Sequence, residues 1–263
     1  MAEITKHRDT AFCWAELQTR DVAAAKEFLA GLYPEWEMVD VPMGGDMVYT
    51  LCMIDGKKAV AIQPMNPQMM EMGIPSYWHI YLNVEDVDAR YAAALEAGAT
   101  SVAPPFDAMD MGRMAMIQDP TGAGLSLWQA KSHIGAEAHN IPGTIAWNEL
   151  STNDPEKATE FYTKVFGWSA PTMEMENGAY TMWTLEGDDG GGIGGMMKTP
   201  EGMDVPPHWA LYINVFDVEA SAKKAKELGA TLPMDWWDGE GIGQMAVVQH
   251  PAAGYFYLFK SAN

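Results

Sequence analysis

The chain has 263 residues, 48% of them hydrophobic and 11% aromatic, which is enough nonpolar matter for one large core or two of ordinary size. Sixteen Lys and Arg against 36 Asp and Glu leave a formal charge of −20, which repels phosphate backbones and anionic headgroups and so argues against nucleic acid or a membrane surface as partner. No apolar run reaches the roughly 18 residues of a membrane span, the start MAEITKHRDT has no apolar secretory segment, and Cys13 and Cys52 lack zinc or disulfide spacing, so a cytoplasmic protein with reduced core thiols is expected.

The first predicted strand lies in CWAELQT, Cys13 to Thr19, where Trp14 and Glu16 share one face. Asp21 follows as a helix N-cap, and Val22, Ala25, Phe28, Leu29 and Leu32 keep helical spacing behind it. Three short strand candidates come next. In HIYLNV, His79 to Val84, the aliphatic Ile80, Leu82 and Val84 face a covering helix, which turns His79, Tyr81 and Asn83 toward a concave surface. Asp86 caps a second helix, which Gly98 stops, and QDPTGAGLSLWQ ends the first half with Ser126 and Trp128.

From there the pattern is printed again at an offset of 130 to 133 residues. AWNELSTNDPEKATEF (Ala146 to Phe161) matches CWAELQTRDVAAAKEF, PHWALYINVFDVEA (Pro207 to Ala220) matches SYWHIYLNVEDVDA, and KELGAT (Lys226 to Thr231) matches LEAGAT. Asp154, with Pro155 behind it, and Asp217 are the corresponding caps, and Gly229 the corresponding stop. The expected division is residues 1–130, a polar linker over 131–144, and residues 145–263. Tyr212 and Asn214 repeat the concave face, with Ala210 in place of His79.

Both copies keep Trp-x-Glu-Leu: Trp14, Glu16 and Leu17, then Trp147, Glu149 and Leu150. A carboxylate among indole rings is poorly solvated, so its pKa rises and it becomes a candidate acid or base near neutrality. The alternative is a purely structural carboxylate paired with a cup donor such as Arg113 or Asn83. Trp14, Trp128, Trp147, Trp183, Trp236 and Trp237 are expected on cup faces or the connections above them, walls that suit a flat apolar ligand, whereas Trp78 and Trp209 are expected to face helices. GDDGGGIGG carries Gly190, Gly192 and Gly195 at dinucleotide-loop spacing, but no helix signal follows and Asp188 and Asp189 would repel pyrophosphate; a strand whose missing side chains enlarge the second cup is expected instead. The 21 methionines could bind Cu(I) in pairs, but adaptable lining of a pocket or loop is the reading taken.

The motifs WAELQTRD, WNELSTNDPEKATEFYTKVFGW, NVEDVDA, NVFDVEA and QDPTGAGLSLWQ resemble the vicinal-oxygen-chelate superfamily of glyoxalase I, bleomycin-resistance proteins and extradiol dioxygenases, in particular its tandem bacterial members labelled hydroxylases or antigens. The resemblance covers nearly the whole chain. It implies an α+β fold of two tandem glyoxalase-like halves, each a pair of βαβββ units forming a curved eight-stranded cup. It also implies a divalent metal held from the first, fifth and eighth strands. Carried over, those positions fall on Trp14, His79 and Ser126 in one half and Trp147, Ala210 and Phe256 in the other, a degenerate set in which His79 is the one weak metal candidate, with Gln63 and Glu16 as secondary donors.

The expected function is binding of a hydrophobic or aromatic metabolite in one or both cups, with acid/base turnover. Glu16, His79 and Glu149 are the catalytic candidates; Trp14, Gln63, Tyr81, Asn83, Arg113, Ser126, Trp128, Trp147, Trp183, Tyr212, Asn214, Trp237 and Phe256 are the binding candidates. Two alternatives stay open: a non-catalytic sequestering protein, and a metal-dependent lyase or dioxygenase. Monomer, as an internal pseudo-dimer, and homodimer both remain open.

Overall fold

The computed structural model describes residues 4–45, 47–175, 178–188, 191–200, 202, 205–239 and 241–262, so Asp189 and Gly190 of the glycine-rich stretch lie outside the described residues. The first half runs β1 (Phe12–Thr19), α1 (Val22–Leu32), β2 (Glu37–Gly44), β3 (Met47–Ile54), β4 (Lys57–Pro64), the short α2 (Pro67–Glu71), β5 (Tyr77–Asn83), α3 (Val87–Glu96), β6 (Thr100–Ala108), β7 (Gly112–Gln118) and β8 (Gly124–Ala130). The second runs β9 (Ile145–Thr152), α4 (Pro155–Phe166), β10 (Thr172–Met175), β11 (Gly178–Trp183), β12 (Gly194–Lys198), β13 (His208–Asn214), α5 (Val218–Glu227), β14 (Trp237–Gly239), β15 (Gly243–His250) and β16 (Gly254–Ser261). Each half is therefore βαβββ twice.

The strands form two eight-stranded sheets of identical order, β2-β3-β4-β1-β5-β8-β7-β6 and β10-β11-β12-β9-β13-β16-β15-β14. In each sheet the first and fifth strands of the half lie antiparallel at the centre, each with a parallel neighbour on its other side. That arrangement sets the two Trp-x-Glu strands beside the strands carrying His79 and Ala210.

The four long helices begin as the sequence predicts. Asp21, Asp86, Asp154 and Asp217 each accept a hydrogen bond from the backbone N–H three residues on, satisfying an amide the helix cannot. Gly98 and Gly229 end α3 and α5 at φ +96° and +94°, a left-handed conformation that costs glycine little.

One face of each sheet packs on the helices, and the two packed faces merge. Leu17, Phe28, Ile80 and Leu82 share one core with Leu150, Phe161, Leu211 and Ile213, and Trp78 and Trp209 belong to it. Phe28 stacks on His250 at 4.1 Å, Tyr162 Oη donates to Asp119 Oδ2 at 2.8 Å, and Trp168 Nε1 donates to the Thr10 carbonyl at 2.9 Å. Burying both sets of aliphatic side chains in common makes the halves stabilise each other, because cutting them apart would return that surface to water. Cys13 and Cys52 are buried free thiols, and burial pushes both pKa values up. Among the described residues no helix is long and apolar enough to cross a membrane.

Candidate functional site

Opposite the shared core, the other face of each curved sheet gathers a smaller side-chain cluster of its own. A register shift between Phe12 and Trp14 on β1 sends Phe12 across to the rings of Trp168 and Trp209, while Trp14, Glu16 and Gln18 point into the first cup. Trp14, Tyr81, Met114 and Trp128 form its buried apolar wall, with Tyr49 and Leu51 partly buried against them.

At the floor Trp14 Nε1 donates to Tyr49 Oη at 2.9 Å, and Tyr49 Oη donates to Glu16 Oε2 at 2.9 Å. The other carboxylate oxygen accepts from Tyr81 Oη at 2.6 Å, Gln18 Nε2 at 2.7 Å and Gln63 Nε2 at 2.5 Å. The second cup repeats the chain of donors. Trp147 Nε1 donates to Tyr180 Oη at 3.0 Å, Tyr180 Oη to Glu149 Oε2 at 3.0 Å, and Tyr212 Oη to Glu149 Oε1 at 2.9 Å. A Trp–Tyr–Glu–Tyr relay is thus what both halves share at the bottom of the cup.

Tyr49 and Tyr180 were not singled out from the sequence. They stand at the same offset as the other repeats, and that periodic coincidence was the available signal. The relay needs room on the neighbouring strand. Glu16 pairs with Ala61 and Glu149 with Gly195, where an added Cβ would fall 1.9 Å from Tyr180 Oη.

Both carboxyls are buried, and burial pushes both pKa values up, with the hydrogen bonds pulling in the opposite direction. The phenols beside them are raised too, since burial and the adjacent carboxylate both disfavour phenolate. The arrangement can hold a proton at each cup floor, on a carboxyl oxygen that exchanges hydrogen bonds with phenols and with any polar group placed above it.

Around the relay the cups differ. His79 Nε2 lies 2.8 Å from Ser126 Oγ, and burial lowers this imidazole to about 4, so it is neutral at physiological pH. The second cup replaces the pair with Ala210 and Tyr257, and the Tyr257 ring stacks on Tyr212 at 4.1 Å. Asn83 and Asn214 tie the cup ends to backbone carbonyls, at Arg8 and His7 and at Thr144.

Several expectations are corrected. The resemblance carried the first-strand ligand position onto Trp14 and Trp147, whereas the strand pairing sets Glu16 across from His79 and Glu149 across from Ala210. Phe256 lies in the shared core with its ring 6.0 Å from Trp78; Tyr257 aligns with Tyr212 as Ser126 aligns with Tyr81, so no residue is deleted in the second copy. Trp183 is also core, 5.4 Å from Trp168 and 5.5 Å from Tyr162. Arg113 is no partner of either Glu: alternation on β7 turns Met114 into the cup and Arg113 out to Asp88 and Asp107. Trp236 is exposed, while Trp237 reaches the second cup wall. The glycines do not enlarge that cup, because Phe12, Tyr180 and Met182 occupy the space that side chains at Gly194, Gly195 and Gly192 would take.

The segment after β8 holds a residue the sequence reading passed over. The backbone of Ala136 donates to the Cys13 carbonyl, Lys58 Nζ bonds Glu137, and Trp128 Nε1 donates to the His133 carbonyl, so residues 131–137 strap the edge of the first cup. His133 is buried edge-on to Trp14 at 4.8 Å and Trp128 at 5.8 Å, with neither ring nitrogen hydrogen-bonded among the described residues, and burial lowers it to about 4. A polar residue in a stretch read as linker gives no periodic signal of burial.

The donor chemistry does not fit the metal that the resemblance implies. Glu16 already accepts four hydrogen bonds and His79 is engaged by Ser126, while the second cup offers Glu149 beside Ala210 and aromatic rings. Among the described residues no group of three His, Cys, Asp or Glu side chains could hold an ion.

The model of the Glyoxalase/Bleomycin resistance protein/Dioxygenase superfamily matches residues 11–127 and 144–251. A Mycobacterium tuberculosis protein named as a glyoxylase, CFP32, is 38% identical over 263 residues, covering 100% of this chain and 99% of its own. The anthracycline biosynthesis protein DauV of a Streptomyces species is 30% identical over 239 residues, 87% of this chain and 86% of its own. Among solved structures the Mn(II)-bound glyoxalase of Novosphingobium aromaticivorans aligns with a TM-score of 0.64 over 96% of this chain and 82% of its own, at 15% identity, a likeness of fold.

Proposed function

The chain belongs to the glyoxalase, bleomycin-resistance and dioxygenase superfamily, and from that premise we propose that it binds a flat, hydrophobic metabolite in an aromatic-lined cup and turns it over by acid/base chemistry without a bound metal. The observation that carries the reading is the buried Trp–Tyr–Glu–Tyr relay. Burial raises the pKa of Glu16 and of Glu149, which favours a proton on each carboxyl, and the phenols hold each carboxyl in one orientation, so a proton moves over a fixed distance to or from a ligand atom above it.

Trp14, Trp128, Trp147 and Trp237 supply faces for stacking, while His79, Gln63, Ser126, Asn83 and Asn214 supply polar contacts. The naming of the Streptomyces relative for anthracycline biosynthesis points the same way. Two buried thiols without a disulfide suit a cytoplasmic location.

Native mass spectrometry of the purified protein, followed by incubation of each retained metabolite with wild type, Glu16→Gln and Glu149→Gln, tests the proposal. Retained binding with turnover lost in a Gln variant supports acid/base chemistry. Turnover unchanged in both variants and in the double variant defeats it. A second reading, sequestration without reaction, is favoured by the four donors that Glu16 already holds, and it predicts binding with no product from any form.

A further inference from the structure

The two cups share their relay but differ in how much of it remains available. A carboxylate offers about four acceptor positions. Glu16 holds three donors on Oε1, Tyr81, Gln18 and Gln63, and one, Tyr49, on Oε2, so a single position is left, on Oε2. Among the described residues Glu149 accepts from Tyr180 and Tyr212, one on each oxygen, because Ser151 and Met197 stand where the first cup has Gln18 and Gln63. One position on each Glu149 oxygen is left for another donor.

The walls differ in the same sense. Trp14, Gln18, Asn83, Ser126 and Trp128 are buried, whereas their counterparts Trp147, Ser151, Asn214, Tyr257 and Phe259 are partly exposed. In the first cup His79 stands across from Glu16, and the strap with His133 closes the edge by Trp14 and Trp128. In the second, a methyl group at Ala210 stands across from Glu149. The bulk has moved one strand over to Tyr257, which lies within 9° of parallel to Tyr212 and presents a flat surface.

On the reading of the cups as ligand sites, we infer that the second cup alone takes the ligand, that the first is a closed scaffold, and that the ligand is a flat aromatic bearing a hydroxyl directed at Glu149. A hydroxyl suits the place because it donates to an unfilled carboxylate position and accepts when that oxygen carries the proton. The rings of Tyr257, Trp147 and Phe259 bind its faces, and the exchange of His79 and Ser126 for Ala210 and Tyr257 distinguishes the cups.

The test uses 1,8-dihydroxyanthraquinone as probe, titrated calorimetrically and by quenching of tryptophan fluorescence. One probe per chain is expected. Ala210→His, which restores the first cup's imidazole, should weaken binding at least tenfold, and Leu51→Phe, which crowds the first cup, should leave it within twofold. Unsubstituted anthraquinone should bind the wild type at least tenfold more weakly. A crystal of the wild-type complex locates the probe whether or not the variants fold.

Two probes per chain, or a probe seated over Glu16, overturns the inference while the cups remain ligand sites. Equal affinity for the two anthraquinones overturns the hydroxyl contact to Glu149. Failure of both probes to bind, in solution and in crystals, removes the cup reading itself and the inference with it.

Discussion

Gly195→Ala is the sharpest perturbation of the relay. The added Cβ would lie 1.9 Å from Tyr180 Oη, 2.5 Å from its Cζ and 3.0 Å from Trp147 Nε1. An ordinary contact is about 3.5 Å, so the phenol must withdraw by about 1.5 Å. The Tyr180 bonds to Glu149 and from Trp147, each 3.0 Å, then exceed hydrogen-bonding range.

Losing a neutral hydrogen bond costs about 1 kcal/mol and one to a charged group about 1.5–3 kcal/mol. Alanine in a strand recovers roughly 0.5–1 kcal/mol of glycine's backbone entropy. The net is a loss of about 1.5–3.5 kcal/mol, which for a chain of this size lowers Tm by about 3–14 °C at roughly 2–4 °C per kcal/mol. Differential scanning calorimetry reads the shift, and Ala61→Gly at the matching place in the first half should cost only about 1 kcal/mol. Tyr180→Phe should cost less in the Gly195→Ala background than in the wild type, because its bond is already gone. A Gly195→Ala protein as stable as the wild type, with additive Tyr180→Phe, would refute the reasoning.

Other outcomes follow from the same geometry. Since Glu149 is raised in the folded chain, its contribution to stability is full below the unfolded value of 4.5 and is lost as pH rises through the folded value; Glu149→Gln should therefore gain on the wild type in urea unfolding as pH increases from 4.5 to 8. His79 and His133 run the other way. Each falls from 6.5 to about 4 on folding, so stability is full above pH 6.5 and declines toward pH 4, by about 3 kcal/mol apiece, and His79→Gln should flatten that decline in urea titrations at stepped pH. Arg113→Ala, which removes an outward ion pair, should leave probe binding unchanged by calorimetry. Prolonged chelator treatment should leave Tm unchanged, and elemental analysis of the purified protein should find no stoichiometric metal; one bound ion per chain would contradict the reading of the donor set.

The fold was legible because it rests on local signals written twice. The four capping Asp residues, the glycine stops and the alternation in HIYLNV each fix an element whatever lies far away in the sequence. The two cup glutamates were legible for the same reason, as repeated Trp-x-Glu strands. What escaped depends on register and on distant partners. One residue of register separates Phe256 in the core from Tyr257 on the cup wall, and side chains of opposite parity on a strand face opposite ways. Trp183 is as aromatic as Trp147 and differs only in that Tyr162 and Trp168 approach it from the helix side. At the glycines of β12 the sequence implies open volume, but Phe12, arriving from the other half, fills the space beside Gly194.

A ¹³C titration of the glutamate side-chain carboxyls reaches the heart of the account. Two signals should titrate clearly above the surface glutamates, one disappearing in Glu16→Gln and the other in Glu149→Gln, and the Glu149 signal alone should move when 1,8-dihydroxyanthraquinone is added. If both carboxyls titrate with the exposed glutamates and neither responds to the probe, the cup floors hold no poised proton and the proposed chemistry has no place to occur.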